Sequence, residues 1–430
     1  MTDSIWTASA GLPEFPRLRG NLKTDVLIIG GGLTGLLCAY MLNKANVSCV
    51  LLEADRLCGG ITKNTTAKLT SQHGLIYHKL SQSFGKEKAQ MYLHANQQAL
   101  KAYRELCKSI PCDFTEKDAF VYSARPGDIE EELNALHRLG YPAEFSSSLP
   151  IPLQNISALR FKRQAQFHPL KFADGIARGL PIYEHSPVRQ MVGCTAITDL
   201  GRVRAEKVIV ATHFPFLNKH GMYFLKLYQQ RSYVLGLEGA PDVGGMYIGA
   251  EENSLSFRNA QGLLLLGGGG HRTGKTGGNW SELRSFAQAH YPGAVAKFQW
   301  ATQDCMTLDG VPYIGQYSKN TPNLYVATGF NKWGMTNAMA AATILTDLVQ
   351  GRSNPYAPVF DPSRSILRPQ LFVNGWESAS NLLRFSKKRC PHLGCALKWN
   401  PQERTWDCPC HGSRFTAEGK RIDNPATGDL

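Results

Sequence analysis

The sequence TDVLIIGGGLTG, residues 24–35, decides the fold of the chain. A short apolar strand pattern runs directly into G-x-G-x-x-G, and an apolar helical pattern follows. Residues 47–52 form a second strand pattern, which ends in Glu53. A strand, a glycine turn, a helix and an acid about twenty residues later are the fingerprint of a dinucleotide-binding βαβ unit. We therefore predict an α/β, Rossmann-like domain that binds a dinucleotide.

Each glycine of this motif has a physical role. Gly30 permits the tight turn, Gly32 lets the backbone approach the pyrophosphate, and Gly35 lets the helix pack closely on the strand. The helix N-terminus at Leu33 and Thr34 offers amide donors and partial positive charge to the phosphates. Glu53 can accept hydrogen bonds from the ribose hydroxyls. The alternative is a glycine-rich structural turn, which requires neither the helix nor the acid.

The C-terminal part of the chain carries a second pattern. Residues 390–395 read CPHLGC and residues 408–413 read CPCHGS. Two thiolates and two imidazoles at this spacing suit an iron–sulfur centre with mixed ligands. A structural zinc site is the alternative, but it leaves Cys395 and Cys410, which occupy the same place in each loop, without a role. The candidate metal ligands are Cys390, His392, Cys408 and His411.

These two loops resemble the cluster-binding loops of Rieske proteins almost letter for letter. The resemblance implies a 2Fe-2S cluster with two cysteines on one iron and two histidines on the other. It also implies a disulfide between Cys395 and Cys410, and a hydrogen bond from Ser413 to a cluster sulfur. Many Rieske proteins have a tyrosine two residues after this serine, where this chain has Phe415. We therefore expect a reduction potential below the upper end of the Rieske range.

Residues 22–350 resemble the D-amino-acid oxidase/glycine oxidase superfamily of FAD proteins. The resemblance rests on strand patterns at 181–192 and 206–212, and on the segments 309–315 and 323–336. It favours FAD over NAD and implies that Val188 contacts the adenine. It also implies that residues 62–69 pass near the flavin and pyrophosphate. The residues expected to hold FAD are Gly30, Gly32, Leu33, Thr34, Gly35, Glu53, Thr65, Thr66, Val188, Ala211, Gly329, Lys332, Gly334, Met335 and Thr336.

A helical pattern after residue 336 supports part of this assignment. Thr336 is predicted to cap that helix, and its N-terminus would stabilise negative charge on the reduced flavin. Lys332 would add a positive charge there, although an ordinary surface lysine is an equally good interpretation. Asp128 is predicted to cap a second helix, which ends at Gly140.

The sequence predicts three parts: an FAD-binding domain with an inserted α+β substrate domain, a linker, and a small all-β Rieske module. The module is shorter than usual, with few strands before its loops (371–373 and 382–385), so we expect it to pack on the flavoprotein. The predicted boundaries are nucleotide-binding parts at about 22–75, 175–215 and 300–350, a substrate domain at about 76–174 and 216–299, a linker at 351–372, and the module at 373–430, with residues 1–350 forming the oxidoreductase.

Three side chains are candidates for catalysis or for clamping a substrate carboxylate: Arg258, His271 and His73. Each is in a loop or at a strand end, where a structural or solvent-facing role is the alternative. The resemblance implies hydride transfer from a small substrate, of the amine or amino-acid class, to the flavin.

The net charge of +13 raises the question of nucleic acid, but no recognition motif accompanies it. The densest basic run, residues 384–389, adjoins the cluster loop and would suit either plain solvent exposure or docking of an acidic electron carrier. The N-terminus has no signal-peptide pattern and the sequence has no membrane-spanning stretch, so a cytoplasmic location is expected. The oligomeric state is not indicated.

A flavin accepts two electrons as a hydride, whereas a Rieske cluster accepts one electron at a time. We therefore expect a dehydrogenase in which the cluster passes electrons singly from the flavin to an external acceptor. Two alternatives remain: an electron-transfer protein without an organic substrate, and a redox sensor that uses cluster loss or the Cys395–Cys410 pair.

Overall fold

The computed structural model describes residues 4–430, and its secondary structure is a mixture of helices and three sheets. The helices are α1 (Ile5–Ser9), α2 (Leu33–Lys44), α3 (Ile76–Cys107), α4 (Pro126–Arg138), α5 (Pro169–Ala177), α6 (Tyr223–Lys226), α7 (Asn279–His290), α8 (Gly334–Val349), α9 (Ala357–Phe360) and α10 (Pro369–Leu383), with a short 3₁₀ helix at Ile61–Asn64. The strands are β1 (Gly20–Ile29), β2 (Cys49–Leu52), β3 (Lys68–Leu69), β4 (Thr115–Ser123), β5 (Glu144–Ser146), β6 (Ser157–Gln166), β7 (Ile182–Tyr183), β8 (Gln190–Val192), β9 (Thr195–Ile197), β10 (Gly201–Val210), β11 (Leu227–Glu238), β12 (Met246–Gly249), β13 (Ser256–Ala260), β14 (Leu263–Arg272), β15 (Val295–Thr307), β16 (Tyr313–Gln316), β17 (Leu324–Thr328), β18 (Lys398–Asn400), β19 (Thr405–Asp407), β20 (Arg414–Thr416) and β21 (Arg421–Asp423).

The first sheet has the order β16-β17-β10-β1-β2-β7, and β8 and β9 extend it beside β10. Strand β1 is parallel to β2 and β10, and β10 is parallel to β17. Residues 26–29 are buried on both faces of β1, as expected for a parallel strand covered by helices. The carboxyl ends of these strands meet at one edge, which is where α/β sheets bind their ligands.

The second sheet has the order β15-β11-β14-β13-β12-β4-β6-β3, with β5 beside β6. Strand β11, next to the edge strand β15, pairs with β14 and β15 along almost its whole length. Successive side chains of a strand point to opposite faces. Alternate side chains of β11 therefore face opposite sides of the sheet.

The start of helix α4 differs from the sequence expectation. Helix α4 begins at Pro126 with Arg125 before it, so Asp128 lies in the first turn and is not the cap. Proline suits the first helical position because its missing N–H would be unpaired there in any case. Gly140 follows the helix with φ +81°, as predicted for its end. Helix α3 begins where the buried Glu132 carboxylate accepts hydrogen bonds from the amides of Tyr77 (2.9 Å) and His78 (2.7 Å).

The strands expected at 371–373 and 382–385 are wrong, because residues 369–383 form helix α10. The apolar residues of these two stretches predict buried strands, yet Phe372 and Leu383 point away from the protein. Residues 384–430 contain the four-stranded antiparallel sheet β18-β19-β20-β21 and both Cys/His loops. We call residues 384–430 the cluster module.

Within residues 4–430, none of the helices combines the length and the apolar character that a membrane crossing requires.

Candidate active site and metal centre

A cavity of about 1250 Å³ lies between the two large sheets. The carboxyl ends of the parallel strands form one side of it, through Ile29, Leu52, Ala211 and Thr328. The second sheet covers the other side. A volume above the roughly 300–1,000 Å³ of an ordinary small-molecule site leaves room for a cofactor and a small substrate together.

The glycine turn has the close contacts that the motif predicts. Gly30 has φ +109°, and a Cβ there would lie 2.6 Å from the Ala211 carbonyl oxygen. A Cβ on Gly35 would lie 1.9 Å from the Gly30 oxygen. At Gly32 the nearest atom would be Thr62 Oγ1 at 3.7 Å, so this residue leaves open space towards the cavity that it lines. The turn therefore fits a pyrophosphate at Gly32 and tight packing at the other two glycines.

Glu53 lies where a ribose acceptor is expected. Its carboxylate accepts hydrogen bonds from the amides of Gly31 (2.6 Å) and Asp55 (2.9 Å), and burial raises its pKa. The other residues expected to hold FAD also line the cavity, with two exceptions: Gly35, which is packed under the turn, and Thr336.

Thr336 does not cap a helix. Helix α8 begins at Gly334 after Trp333, which places Thr336 in its first turn. The Thr336 hydroxyl donates to the Thr70 carbonyl (3.0 Å) and contacts His73 Nε2 (3.0 Å). The N-terminal turn of α8 nevertheless faces the cavity, since Lys332, Gly334 and Met335 line it.

Of the three catalytic candidates, only His73 lines the cavity. Its Nδ1 contacts the Tyr92 hydroxyl (2.7 Å), and its ring is stacked on Trp333 with centroids 4.9 Å apart. Burial lowers the pKa of His73 to about 3. The ring is therefore neutral at physiological pH and is held in one orientation.

Arg258 and His271 lie outside the cavity lining. The buried Arg258 guanidinium donates to the carbonyls of Thr66 (2.5 Å) and Ala67 (2.7 Å), so it positions a segment that borders the cavity. His271 is stacked on Tyr233, with ring centroids 5.6 Å apart. It lies opposite Arg231 on the sheet, on the face that contacts the cluster module.

The structure adds two ionisable groups that the sequence did not single out. Lys68 lines the cavity, and burial, with the charge of Arg258, lowers its pKa to about 7. Asp304 lines the sheet side of the cavity, and burial raises its pKa to about 6. Shifted ionisable groups in a cavity are candidates for function. Lys68 falls within the stretch 62–69 expected near the flavin, whereas no motif marks Asp304.

Strand β11 lies between the cavity and the metal loops of the cluster module, while residues 420–424, 426 and 427 of the module also line the cavity. Tyr228, Gln230 and Ser232 line the cavity. The alternate residues face the module: Gln229 donates to the carbonyls of His411 (2.8 Å) and Asn424 (3.1 Å). One strand therefore has the cavity on one face and the metal loops on the other.

Both candidate histidine ligands point towards the flavoprotein. His392 Nε2 contacts Asn218 Oδ1 (2.9 Å), and the rings of both His392 and His411 pack edge-on against Phe214. Nδ1 of His392 and both ring nitrogens of His411 are buried and make no hydrogen bond within residues 4–430. Burial lowers the pKa of His392 to about 4, so the ring is neutral, as a metal ligand must be.

The four cysteines of the two loops lie together with these rings. The sulfur atoms of Cys395, Cys408 and Cys410 are within 4.8 Å of one another. The Cys390 thiol lies beside the side chains of Cys408 and Ser413, and the neighbouring Cys408 raises its pKa. All eleven cysteines are free in the structure, so the disulfide implied between Cys395 and Cys410 is not formed in it. Unpartnered imidazole nitrogens beside clustered thiols fit a metal–sulfur centre.

Buried polar contacts hold the cluster module on the second sheet. Arg231 of β11 is paired with the buried Glu403 carboxylate, which also accepts a hydrogen bond from the Tyr233 hydroxyl (2.8 Å). Gln303 Nε2 donates to Gly412 O (2.9 Å) and to Gln229 Oε1 (2.7 Å). The module therefore packs on the flavoprotein, as its short length predicts.

The fold and the two sites define a flavoprotein oxidoreductase with an attached iron–sulfur module. The chain belongs to the FAD dependent oxidoreductase family, whose model matches residues 25–348, and a Rieske [2Fe-2S] domain model matches residues 368–430. It is an FAD-dependent enzyme whose cofactors are FAD and a 2Fe-2S cluster.

Two curated relatives cover most of the chain. It is 34% identical to the Rieske 2Fe-2S iron-sulfur protein YhfW of Bacillus subtilis (strain 168), over 100% of this chain and 97% of that protein. It is 26% identical to gamma-glutamylputrescine oxidoreductase of Escherichia coli (strain K12), over 81% of this chain and 89% of that enzyme.

Among solved structures, glycine oxidase from Geobacillus kaustophilus has a TM-score of 0.67 and 19% identity, and covers 80% of this chain and 100% of its own. L-proline dehydrogenase from P. horikoshii also has a TM-score of 0.67, with 15% identity, over 81% of this chain and 98% of its own. At these identities the likeness concerns the fold alone.

Proposed function

We propose that the protein is a dehydrogenase that oxidises a small amine or amino acid at the flavin and passes the electrons singly through the cluster to an external acceptor. The flavin, when bound, accepts a hydride from the substrate carbon. The residues of the chain bind and orient the substrate, exclude water and hold the cluster beside the cavity.

The observation that carries the proposal is the position of Gln229. Its Oε1 contacts Nε2 of His213 (3.2 Å), a residue that lines the cavity. Its Nε2 donates to the carbonyl of His411, a candidate cluster ligand. One side chain therefore spans the distance between the flavin cavity and the cluster loop. An enzyme that disposed of its electrons directly from the flavin would not need this proximity.

The cavity supports an organic substrate. Beyond the residues expected to hold FAD, it offers the side chains of Tyr228, Gln230, Ser232 and Asp304 on the sheet side. These polar groups can orient a small polar molecule. Lys68, whose pKa of about 7 makes its neutral form available, is our candidate to take a proton from a substrate ammonium group.

The relatives support the same substrate class. The names of gamma-glutamylputrescine oxidoreductase, L-proline dehydrogenase and glycine oxidase refer to amines or amino acids. The external acceptor is the second part of the proposal. The basic run at residues 384–389 offers an acidic electron carrier, or another anionic surface, a place to dock. A cytoplasmic location remains a prediction.

The test is anaerobic reduction of iron-replete protein with a panel of amines and amino acids, followed by flavin absorbance and EPR. We expect a substrate to bleach the flavin and then to generate the signal of a reduced cluster. In the variant Cys408→Ser the same substrate should bleach the flavin without any cluster signal, and Cys194→Ser should behave as wild type. If no compound bleaches the flavin while a chemical reductant readily reduces the cluster, electron transfer without an organic substrate replaces the dehydrogenase.

A further inference from the structure

Helix α10 presents its apolar side chains to solvent. Phe372 and Trp376 are each 74% exposed and Leu383 is 87% exposed, while Phe385, just beyond the helix, is 90% exposed. The spacing of 372, 376 and 383 places the three helical residues on one face. Clustered aromatic and aliphatic side chains at this exposure mark a binding surface.

The opposite face of α10 is polar and is fixed to the protein. Asn374 accepts a hydrogen bond from Arg272 (2.9 Å), and Glu377 is paired with Lys275 (2.5 Å). The backbone carbonyl of Asn381 accepts from the amide of Ala396 in the cluster module (2.9 Å). These contacts fix the orientation of the helix about its axis, so the apolar face cannot turn inward unless they break.

Positive charge adjoins the C-terminal end of this apolar face. Between residues 366 and 400 the only acidic residue is Glu377, whose carboxylate is already paired with Lys275. The exposed basic residues of the same stretch are Arg384, Lys387 and Arg389, which follow the end of the helix, whereas Arg368 lines the flavin cavity with its guanidinium over the Phe84 ring. Trp, Phe and Leu on one face with Lys and Arg beside them are typical of a helix that lies in a membrane interface.

We propose that α10 and residues 384–389 dock on the surface of an anionic lipid bilayer. Phe372, Trp376, Leu383 and Phe385 would enter the headgroup region, and the basic residues would contact lipid phosphates. The proposal rests on these exposed side chains and does not depend on the proposed substrate or on the direction of electron flow.

Two other possible partners, a second copy of the chain and an acidic soluble carrier, fit this surface less well. In a symmetric dimer through this face, a helix would meet its own copy, which would set two strongly basic surfaces against each other. An acidic soluble carrier would match the charge but would leave the exposed aromatic side chains without a purpose. A bilayer with anionic lipids matches both the positive charge and the exposed aromatic side chains.

Docking of this kind would bring the cluster module to the membrane. A Cβ on Gly394 would lie 4.0 Å from Leu382 Cδ2, which places the first cluster loop beside the C-terminal turn of α10. Leu393, in the same loop, is 39% exposed. The loop that carries Cys390 and His392 would therefore lie close to the lipid headgroups.

The test is flotation of the full-length holoprotein with vesicles of phosphatidylcholine, with or without phosphatidylglycerol. We expect the protein to float only with the anionic vesicles. The double variants Trp376→Ala/Phe385→Ala and Arg384→Glu/Lys387→Glu should each weaken the binding more than about tenfold. Because all four side chains are exposed, the flavin and cluster spectra should be unchanged.

The matched controls are Phe145→Ala, which alters an exposed phenylalanine of strand β5 in the second sheet, and Lys319→Glu, which alters an exposed lysine of the flavoprotein. Both should float like wild type. The proposal is overturned if wild type remains unbound with both kinds of vesicle, or if Trp376→Ala/Phe385→Ala floats as well as wild type. It is also overturned if the aromatic substitutions only convert a dimer to a monomer, which would assign the face to a second copy of the chain.

Discussion

Single side chains on alternate faces of one strand connect the two redox sites. Gln229 lies under the cluster loop, whereas its neighbours Tyr228 and Gln230 line the flavin cavity. The buried carbonyl of His411 depends on the Gln229 amide for a hydrogen bond. Removal of this amide would leave a buried acceptor without a partner, at a cost of about 1–3 kcal/mol.

Replacement of Gln229 by leucine should therefore slow the reduction of the cluster by the flavin. Leucine keeps much of the volume but loses the hydrogen bonds to His411, Asn424 and Gln303. The measurement is rapid-freeze EPR after reduction of the flavin. The control is Gln402→Leu, which changes an exposed glutamine of the cluster module. A rate equal to that of wild type in Gln229→Leu would contradict the role of this side chain.

Asp304 should make stability depend on pH. Burial raises the pKa of this carboxyl from 3.8 to about 6, so between about pH 4 and 6 the folded state holds a proton that the unfolded state releases. The free energy of unfolding therefore falls as the pH rises through this window. Asp304→Asn should stabilise the protein on the order of 2 kcal/mol above pH 6 and have little effect below pH 4. Denaturant titrations of the variant and wild type, above pH 6 and below pH 4, measure the change in the free energy of unfolding. An equal change at high and low pH would refute the raised pKa of Asp304.

At the residue scale, sequence patterns named candidate cofactor residues but did not single out Lys68 or Asp304. The glycine turn and the two Cys/His loops are local motifs whose spacing carries their chemistry, so Gly32, Glu53 and His411 could be named as candidates. The catalytic candidates depended on which face of a strand meets which neighbour. Alternation along β13 and β14 cannot indicate that Arg258 lies under residues 66–67, or that His271 faces the cluster module.

At the scale of elements, helix ends show where local rules were overridden. Helix α3 begins without a capping side chain of its own and uses Glu132, a residue of α4, as its acceptor. Such a cap comes from tertiary contact, so the sequence near residue 76 does not reveal it. The apolar residues of helix α10 predict strands because apolar residues normally indicate burial, whereas the buried positions of this helix are Asn374 and Asn381.

Glu132→Ala should destabilise the protein by about 2 kcal/mol, because it leaves the buried amides of Tyr77 and His78 with no acceptor. Thermal unfolding, monitored by circular dichroism and by flavin release, measures the loss. The exposed Glu130→Ala on the same helix is the control. If the two variants unfold at the same temperature, Glu132 does not hold the start of α3.

At the scale of the whole molecule, a buried charge network joins the two cofactor-bearing parts. Glu403 of the cluster module is paired with Arg231 of the sheet and with Arg414 of its own module. Burial alone would raise the pKa of Glu403, but the charges of Arg231 and Arg414 and the hydrogen bonds from Arg231 and Tyr233 lower it to about 2. The carboxylate is therefore ionised wherever the protein is folded near neutral pH.

Glu403→Gln should loosen the module from the flavoprotein. The substitution leaves two buried guanidinium groups short of a partner, and a broken buried pair costs about 3–5 kcal/mol. On heating, the cluster absorbance should be lost at a lower temperature than FAD is released, whereas wild type should lose both together. Glu418→Gln, exposed on the same module, should behave like wild type. Joint loss in Glu403→Gln would show that this network does not hold the interface.

In the proposed function, electrons pass from the flavin to the cluster within one chain. The most direct measurement is photoreduction of the flavin in anaerobic, iron-replete protein, followed by rapid freezing and EPR over time. We expect the signal of the reduced cluster to grow as reduced flavin is consumed, at a rate independent of protein concentration. This signal should be absent in Cys408→Ser. A flavin that stays reduced beside an oxidised cluster, or a rate proportional to protein concentration, would contradict it.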